Sequence, residues 1–563
     1  MLQKKRIRVF AVFLLAILGF AVYSRAGQGE FIWDDEYLVE KNPYVTGREG
    51  ARGIFSGDIG AGTGRLYRFY RPVQILSYRI DNLIRGPRPG AYHLTGVTLH
   101  VLTGIALFFF VNALYRKELL SFLTACFFLV HPAASGVACY ISSRADSLYL
   151  FFLFLSFISY IKAVPGRGPG FILPPALFFA LSLLSKEGAL ILPFLILLYH
   201  YTFGIKIKRA PFLALTATAL AYITLRLTVF GYMLEGMPVR GGWLERVPGF
   251  FAALFGYFRI LIFPFGLHME YGNGLFGFSD PRVIAGAAIF AVLAAVIAKT
   301  AAKRNVVFFS LSWFLIALLP VSNLYPVNAY MAESWLYLPS AGLFLLAARY
   351  IAALYGKKNR RALAAGIAVF LIVFFSVLSI RQCGYWKDPL LFFKRTVRLA
   401  PDSARARNRL GLEYLKAGLA EKAIENYREA VRIEPGFARG YYNMALAYTR
   451  AGKNEEALSC YRKALSIDPA FAGAYNNLGA LYDDMGMSGN AVAFLKKAIR
   501  IDPEYADAYN NLGAVYEGRG EYGRAEALYK KALLLKPGHA PARENLSRLE
   551  GKTGFHGRPA GDK

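Results

Sequence analysis

The chain has 563 residues, room for two to four domains at roughly 150 residues each. Hydrophobic residues make up 55%, aromatics 15% and charged residues only 18%, which excludes a disordered or fibrous protein. A net charge of +29 points to nucleic acid or an anionic membrane. The basic residues stand in short clusters between apolar runs, with no RNA-recognition motif, zinc-finger spacing or basic-helix heptad, so the membrane is favoured.

Apolar residues fill the chain from Val9 to Ile380. About 20 apolar residues in a helix cross a hydrocarbon core of ~30 Å, and helices are the default spanning element because their backbone groups bond internally. The predicted spans are Val9–Tyr23, Leu94–Tyr115, Leu119–Val130, Ser147–Ile161, Phe171–Leu184, Ala189–Phe203, Pro211–Phe230, Val283–Ala298, Val306–Leu324, Trp335–Tyr355 and Ala362–Ile380. The first lacks a clear small-residue cleavage site and reads as a retained anchor.

Basic clusters set the orientation. They are Lys4/Lys5/Arg6/Arg8, Arg116/Lys117, Lys162/Arg167, Lys206/Lys208/Arg209, Lys299/Lys303/Arg304 and Lys357/Lys358/Arg360/Arg361. All can be cytoplasmic if Phe250–Phe265, with Arg259 and Pro264 inside it, is re-entrant or interfacial on the outer side. Eleven crossings then put the N-terminus in the cytoplasm and the C-terminal tail outside, with a bacterial plasma membrane as the preferred setting. The long loop 26–91 falls on the outer side, where functional residues tend to gather.

The expected division is a polytopic membrane domain over 1–385, a linker over 386–402, repeats over 403–550 and a disordered tail over 551–563. Pro401, Pro435, Pro469, Pro503 and Pro537 recur every 34 residues. Gly411, Ala445, Gly479 and Gly513 keep that register, as do Gly418, Gly452, Gly486 and Gly520. This is the tetratricopeptide pattern: four repeats over Ser403–Gly538 and a capping helix over His539–Glu550. The fold class is therefore all-α, a polytopic helical membrane domain followed by an α-solenoid. Asn443, Asn477 and Asn511 recur at one position of the first helix, with Arg409 there in the first repeat. Such a ladder can hold a peptide backbone, or it can be plain repeat consensus.

Several polar residues need a reason to sit beside a membrane. Trp33-Asp34-Asp35-Glu36 places three adjacent carboxylates just past the first span, where repulsion raises a pKa and a carboxylate can take a proton from an attacking hydroxyl. Arg71, His93, His131, Arg144, Asp146, Lys186, Glu187 and Glu333 all fall on the outer side in the deduced topology. Ionisable residues at that depth line cavities or pair with each other. The structural alternative makes Arg144–Asp146 and Lys186–Glu187 local pairs. As a set, cations beside carboxylates suit a lipid-phosphate leaving group and a hydroxyl nucleophile.

In order, Phe31-Ile-Trp-Asp34-Asp35, Tyr70-Arg71-Pro72-Val73, Tyr92-His93-Leu94 with His100, His131-Pro132, Arg144-Ala145-Asp146, Leu184-Ser185-Lys186-Glu187, and Glu333 with Trp335-Leu336-Tyr337-Leu338-Pro339 resemble the TMTC family of protein O-mannosyltransferases and its bacterial relatives. The likeness runs from about Phe31 to Leu549 and includes the repeat tail. It departs at Ser135-Gly136, where the family often carries an acid. The resemblance implies an inverting glycosyltransferase of the GT-C class, moving a sugar such as mannose from a polyprenyl-phosphate donor to a protein hydroxyl. It assigns the catalytic acid to Asp34, with Asp35 its neighbour. It makes Arg144, Lys186 and Arg71 candidates for the donor phosphate. Asp146 and Glu187 orient these cations, and His131, His93 and Glu333 support the cavity. No metal ligand set is assigned, and metal use stays open.

Two other classes compete. A membrane-anchored tetratricopeptide scaffold needs neither many spans nor one-sided charge. A transporter is expected to show related halves and midplane charges. The four cysteines, Cys126, Cys139, Cys383 and Cys460, form no CxxC pair and imply neither a disulfide framework nor a zinc site.

Overall fold

The computed structural model describes the chain except residues 1, 48, 64–66, 164–170, 229–241, 273, 323–328 and 554–563. Arg167, the span ends Phe230 and Leu324, and the last ten residues of the expected tail lie outside the described residues. Among those described there is helix but no strand. The chain divides into two compact units, Met1–Arg395 and Thr396–Lys563.

In the first unit the described residues of the expected spans are mostly helical, with a turn at Tyr337–Pro339 near the head of the expected span Trp335–Tyr355. Among the described residues six helices are long and apolar enough to cross a membrane, or seven if the bent pair Glu118–Val130 and Pro132–Cys139 counts as one span. Four more apolar helices are shorter. The count of eleven crossings thus rests on the basic clusters and not on helix length.

Local chemistry sets the helix ends. Asp280 and Asn305 cap the helices Pro281–Ala301 and Val306–Leu318 through the amides of Arg282 (2.8 Å) and Phe308 (3.0 Å). Pro89 opens the helix Pro89–Tyr115. That helix and Arg144–Lys162 form the buried centre, each with 61% of its apolar window enclosed. The windows within Pro281–Ala301 and Lys358–Gly384 are only 17% enclosed. Ile284, Val292, Val369, Phe370, Val373 and Val377 on them are exposed, the apolar surface expected of helices that meet lipid.

Small residues bring these helices together. A Cβ on Gly104 would stand 2.5 Å from Leu129, and one on Gly286 only 1.8 Å from the Phe251 carbonyl oxygen.

The loop 26–91 folds around its own small core of Leu38, Val39, Val45, Ile54 and Ile59, packed on Ile75, Tyr78 and Tyr92. Asp58 organises its return stretch, accepting from the amides of Gly60 (2.7 Å), Tyr67 (3.0 Å) and Phe69 (2.8 Å).

The second unit is a tetratricopeptide solenoid, with helix pairs running from Ala404–Lys416 and Ala420–Ile433 to Ala506–Gly518 and Tyr522–Leu535, then a last helix Ala540–Thr553. The glycines of the consensus do two jobs. Gly418, Gly452, Gly486 and Gly520 have φ of 71° to 76°, a left-handed turn between paired helices. A Cβ on Gly411, Gly479 or Gly513 would stand 2.6–2.7 Å from Tyr427, Leu495 or Tyr529 of the paired helix.

Candidate active site

The acidic turn is built by an unusual backbone. Trp33 has φ of 60°, left-handed for a bulky residue, and its ring packs on Phe393 at 5.5 Å. The turn sends its two aspartates to different places. Asp35 is buried, 1% exposed, and accepts from the Ile32 amide (3.1 Å), the Ser142 amide (2.8 Å) and the Ser142 hydroxyl (2.5 Å). Burial, opposed by those hydrogen bonds, pushes its pKa up to about 7. Asp34 is half-buried and meets two phenols. Tyr67 donates to Oδ1 at 3.3 Å, and Tyr140 lies 3.5 Å from Oδ2 while accepting from the Asp34 amide at 3.1 Å. Tyr140 in turn stacks on Trp386 at 5.3 Å.

One helix, Pro72–Arg85, ties this turn to the charged residues. Gln74, Ser77 and Asp81 lie three to four residues apart and so share a face. Gln74 donates to the Ser142 carbonyl oxygen and to Tyr78, both at 2.9 Å. Ser77 and Asp81 take Arg144, at 3.2 Å and 2.6 Å. At the head of the same helix Arg71 forks onto Glu187, with contacts of 3.1 Å and 2.6 Å, and lies over the Phe69 ring. The helix therefore holds the segment 141–144 from one side while Asp35 holds it from the other.

The ion pairs differ from the local pairs that sequence spacing offers. Arg144 joins Asp81 and not Asp146. Lys186 joins Asp146 at 2.6 Å and not Glu187, and Glu187 goes to Arg71. Arg144 is enclosed, 0% exposed, and also donates to the Tyr92 carbonyl oxygen at 2.8 Å. The side chains of Arg71 and Lys186 keep 12% and 15% exposure. Each retains donors beyond its carboxylate, because a guanidinium has five N–H groups and an ammonium three.

The remaining expected residues engage other partners. His93 sits against Gly29, where a Cβ would stand 2.7 Å from its Nε2. His131 accepts from the Ala133 amide at 3.2 Å and reaches the Leu261 carbonyl oxygen at 3.2 Å, so backbone takes both ring nitrogens. His100 likewise bridges Tyr337 and the Leu129 carbonyl oxygen. Glu333 accepts from the His268 amide and the Tyr271 hydroxyl, both at 2.6 Å, and burial pushes its pKa up to about 7.

In the solenoid, Asn443, Asn477 and Asn511 reach back one repeat. They donate to Asn408 (2.9 Å), Tyr442 (2.8 Å) and Asn476 (3.0 Å). Asn545 continues the row in the last helix, donating to Asn510 at 2.9 Å. The ladder thus stitches adjacent repeats, and its half-buried amides keep a second N–H each. Sequence spacing missed Asn545, which stands 34 residues after Asn511, and the partner row one position earlier.

Comparison with known proteins bears on both units. The "TPR repeat" family model matches residues 411–452, 446–486 and 489–520, and the "Tetratricopeptide repeat" model matches 506–539. A Caenorhabditis elegans protein O-mannosyl-transferase is 25% identical over 438 residues, 74% of this chain and 61% of the relative. The curated relatives are TMTC-family protein O-mannosyl-transferases. Homo sapiens protein O-mannosyl-transferase TMTC1 is 32% identical over 161 residues, 27% of this chain and 18% of that protein. The chain therefore spans less than two thirds of the length of both relatives. The crystal structure of MamA matches with 29% identity, 28% of this chain, 92% of that chain and a TM-score of 0.25.

Proposed function

We propose that the membrane unit is a glycosyltransferase, moving a sugar, mannose by likeness to the relatives, from a polyprenyl-phosphate donor to a protein hydroxyl on the extracytoplasmic face. The observation that carries this reading is the split of the acidic turn: one aspartate is buried as a structural clamp, and its neighbour is left half-exposed between two phenols. The acceptor hydroxyl attacks the anomeric carbon, its proton passes to the Asp34 carboxylate, and the bond from that carbon to the phosphate oxygen breaks with inversion. Tyr67 and Tyr140 hold the carboxylate in place.

The spare donors of Arg71 and Lys186 stabilise the charge that grows on the departing lipid phosphate. Glu187 and Asp146 fix the direction of these cations. Arg144, being enclosed, serves as a positioning residue that fastens the helix Pro72–Arg85 to the start of Arg144–Lys162. The repeats bind the acceptor protein along the asparagine row, using the amide hydrogens that the inter-repeat bonds leave over. In this orientation both the acidic turn and the repeats face the periplasm of a bacterial plasma membrane.

The test is Asp34→Asn in full-length protein, assayed for sugar transfer from a polyprenyl-phosphate sugar. Loss of a general base costs about 10²–10⁴-fold, so a drop of at least ~100-fold with unchanged membrane insertion is expected. Transfer at the parental rate would remove Asp34 from the chemistry. Binding of an acceptor without any transfer by the parental chain would return the scaffold reading.

A further inference from the structure

Cys139 closes the short helix Ser135–Cys139, and Cys383 stands one residue before the end of the helix Arg361–Gly384. They are 244 residues apart in sequence, yet their sulfurs lie 2.8 Å apart, and each residue is 1% exposed. That is closer than two non-bonded sulfurs normally approach. It is also too close for two ligands of one zinc ion, which at about 2.3 Å from the metal in a tetrahedron stand roughly 3.8 Å apart. We propose that Cys139 and Cys383 form a disulfide in the native protein.

A bond of about 2.05 Å brings the sulfurs closer than their present 2.8 Å by less than an ångström. Two thiols give up two protons and two electrons as the S–S bond forms. The electrons pass to the disulfide of an oxidised thiol–disulfide oxidoreductase, which leaves as its dithiol after a mixed-disulfide intermediate. In the orientation proposed above, Cys139 lies between the third and fourth spans and Cys383 follows the eleventh. Both then meet the oxidising side of the membrane, where such bonds form and persist.

The bond has a definite place in the site. Cys139 directly precedes Tyr140, and Cys383 stands three residues before Trp386, the ring on which Tyr140 stacks. It would fasten covalently the two segments that carry the Tyr140–Trp386 pair beside Asp34. The inference rests on the proposed sidedness and not on the sugar chemistry, so a thiol count can fail while the transfer assay succeeds, and the reverse.

The experiment uses full-length chain in native membranes. Free thiols are blocked with N-ethylmaleimide in denaturant, disulfides are then reduced, and the released thiols are tagged with a maleimide polyethylene glycol. Two tags per chain are expected after reduction and none without it, with Cys126 and Cys460 blocked at the first step. Cys139→Ser and Cys383→Ser are each expected to abolish both tags, and the double variant Cys126→Ser/Cys460→Ser to keep them. Non-reducing peptide mass spectrometry of the parental chain reads the same bond without any variant, as a linked pair of peptides containing Cys139 and Cys383. No tags on the parental chain, or a linked pair involving Cys126 or Cys460, would overturn the proposal.

Discussion

Replacing Asp35 by Asn changes how stability depends on pH. Asp35 is 1% exposed and its pKa rises from 3.8 to about 7 in the fold. A carboxyl raised on folding binds its proton more tightly in the native state, so its contribution is full below the unfolded value and is lost as pH climbs toward 7. That difference is worth about 4 kcal/mol once the group is ionised in both states. Between pH 5 and pH 8 the fold loses about 2–3 kcal/mol of that through Asp35 alone.

Asn does not titrate, so Asp35→Asn lacks this slope. It gives up the bond from the Ile32 amide if its NH2 turns that way, an offset of about 1 kcal/mol that is constant with pH. The measurement is the thermal midpoint of variant and parent in detergent from pH 5 to pH 8. Subtracting the two curves removes other groups that titrate in this window, such as Glu333. The variant is expected to gain on the parent by roughly 5 °C across that range, taking about 2 °C per kcal/mol. Parallel curves would show that the Asp35 carboxyl is not held against its charge, and the division of labour between Asp34 and Asp35 would fall.

Three further outcomes follow from other contacts. Arg144→Met strands the Asp81 carboxylate in the interior and is expected to cost about 3–5 kcal/mol, with partial recovery on adding Asp81→Asn; parental stability of the single variant would contradict the enclosed pair. Gly286→Ala drives a methyl group into the Phe251 carbonyl oxygen, at 1.8 Å, and is expected to cost about 1–3 kcal/mol or abolish folding; a neutral effect on detergent stability would refute the close helix contact. Asn443→Ala/Asn477→Ala/Asn511→Ala removes three inter-repeat hydrogen bonds, about 3 kcal/mol in all, and is expected to speed proteolysis of the repeats as well as weaken acceptor binding. Weakened binding with unchanged proteolysis would mean that the row does not stitch the repeats.

The helices and the solenoid were legible because they rest on periodic patterns that a sequence displays directly: long apolar runs and a strict 34-residue register. The acidic turn was legible as a cluster, but its division was not. Which aspartate is buried depends on Ser142, more than a hundred residues away. The ion pairs were hidden for the same reason. Asp81 reads as an ordinary polar residue of the helix Pro72–Arg85, and only the fold brings Arg144 to it. The histidines drew notice as polar residues in apolar surroundings, yet His131 and His100 spend both ring nitrogens on buried partners. Asn545 was within reach of the repeat arithmetic, since it keeps the spacing of Asn511, but it sits in the helix expected only to cap the solenoid. The Cys139–Cys383 approach has no sequence signal at all, because nothing in spacing links residues so far apart.

The most direct test of the central claim reconstitutes the full-length chain in lipid vesicles with a polyprenyl-phosphate mannose and a serine- and threonine-rich acceptor protein, and reads the acceptor by mass spectrometry. A hexose on acceptor hydroxyls with the parental chain, absent with Asp34→Asn, is the predicted result. An unmodified acceptor in the presence of folded parental chain and intact donor would contradict the account.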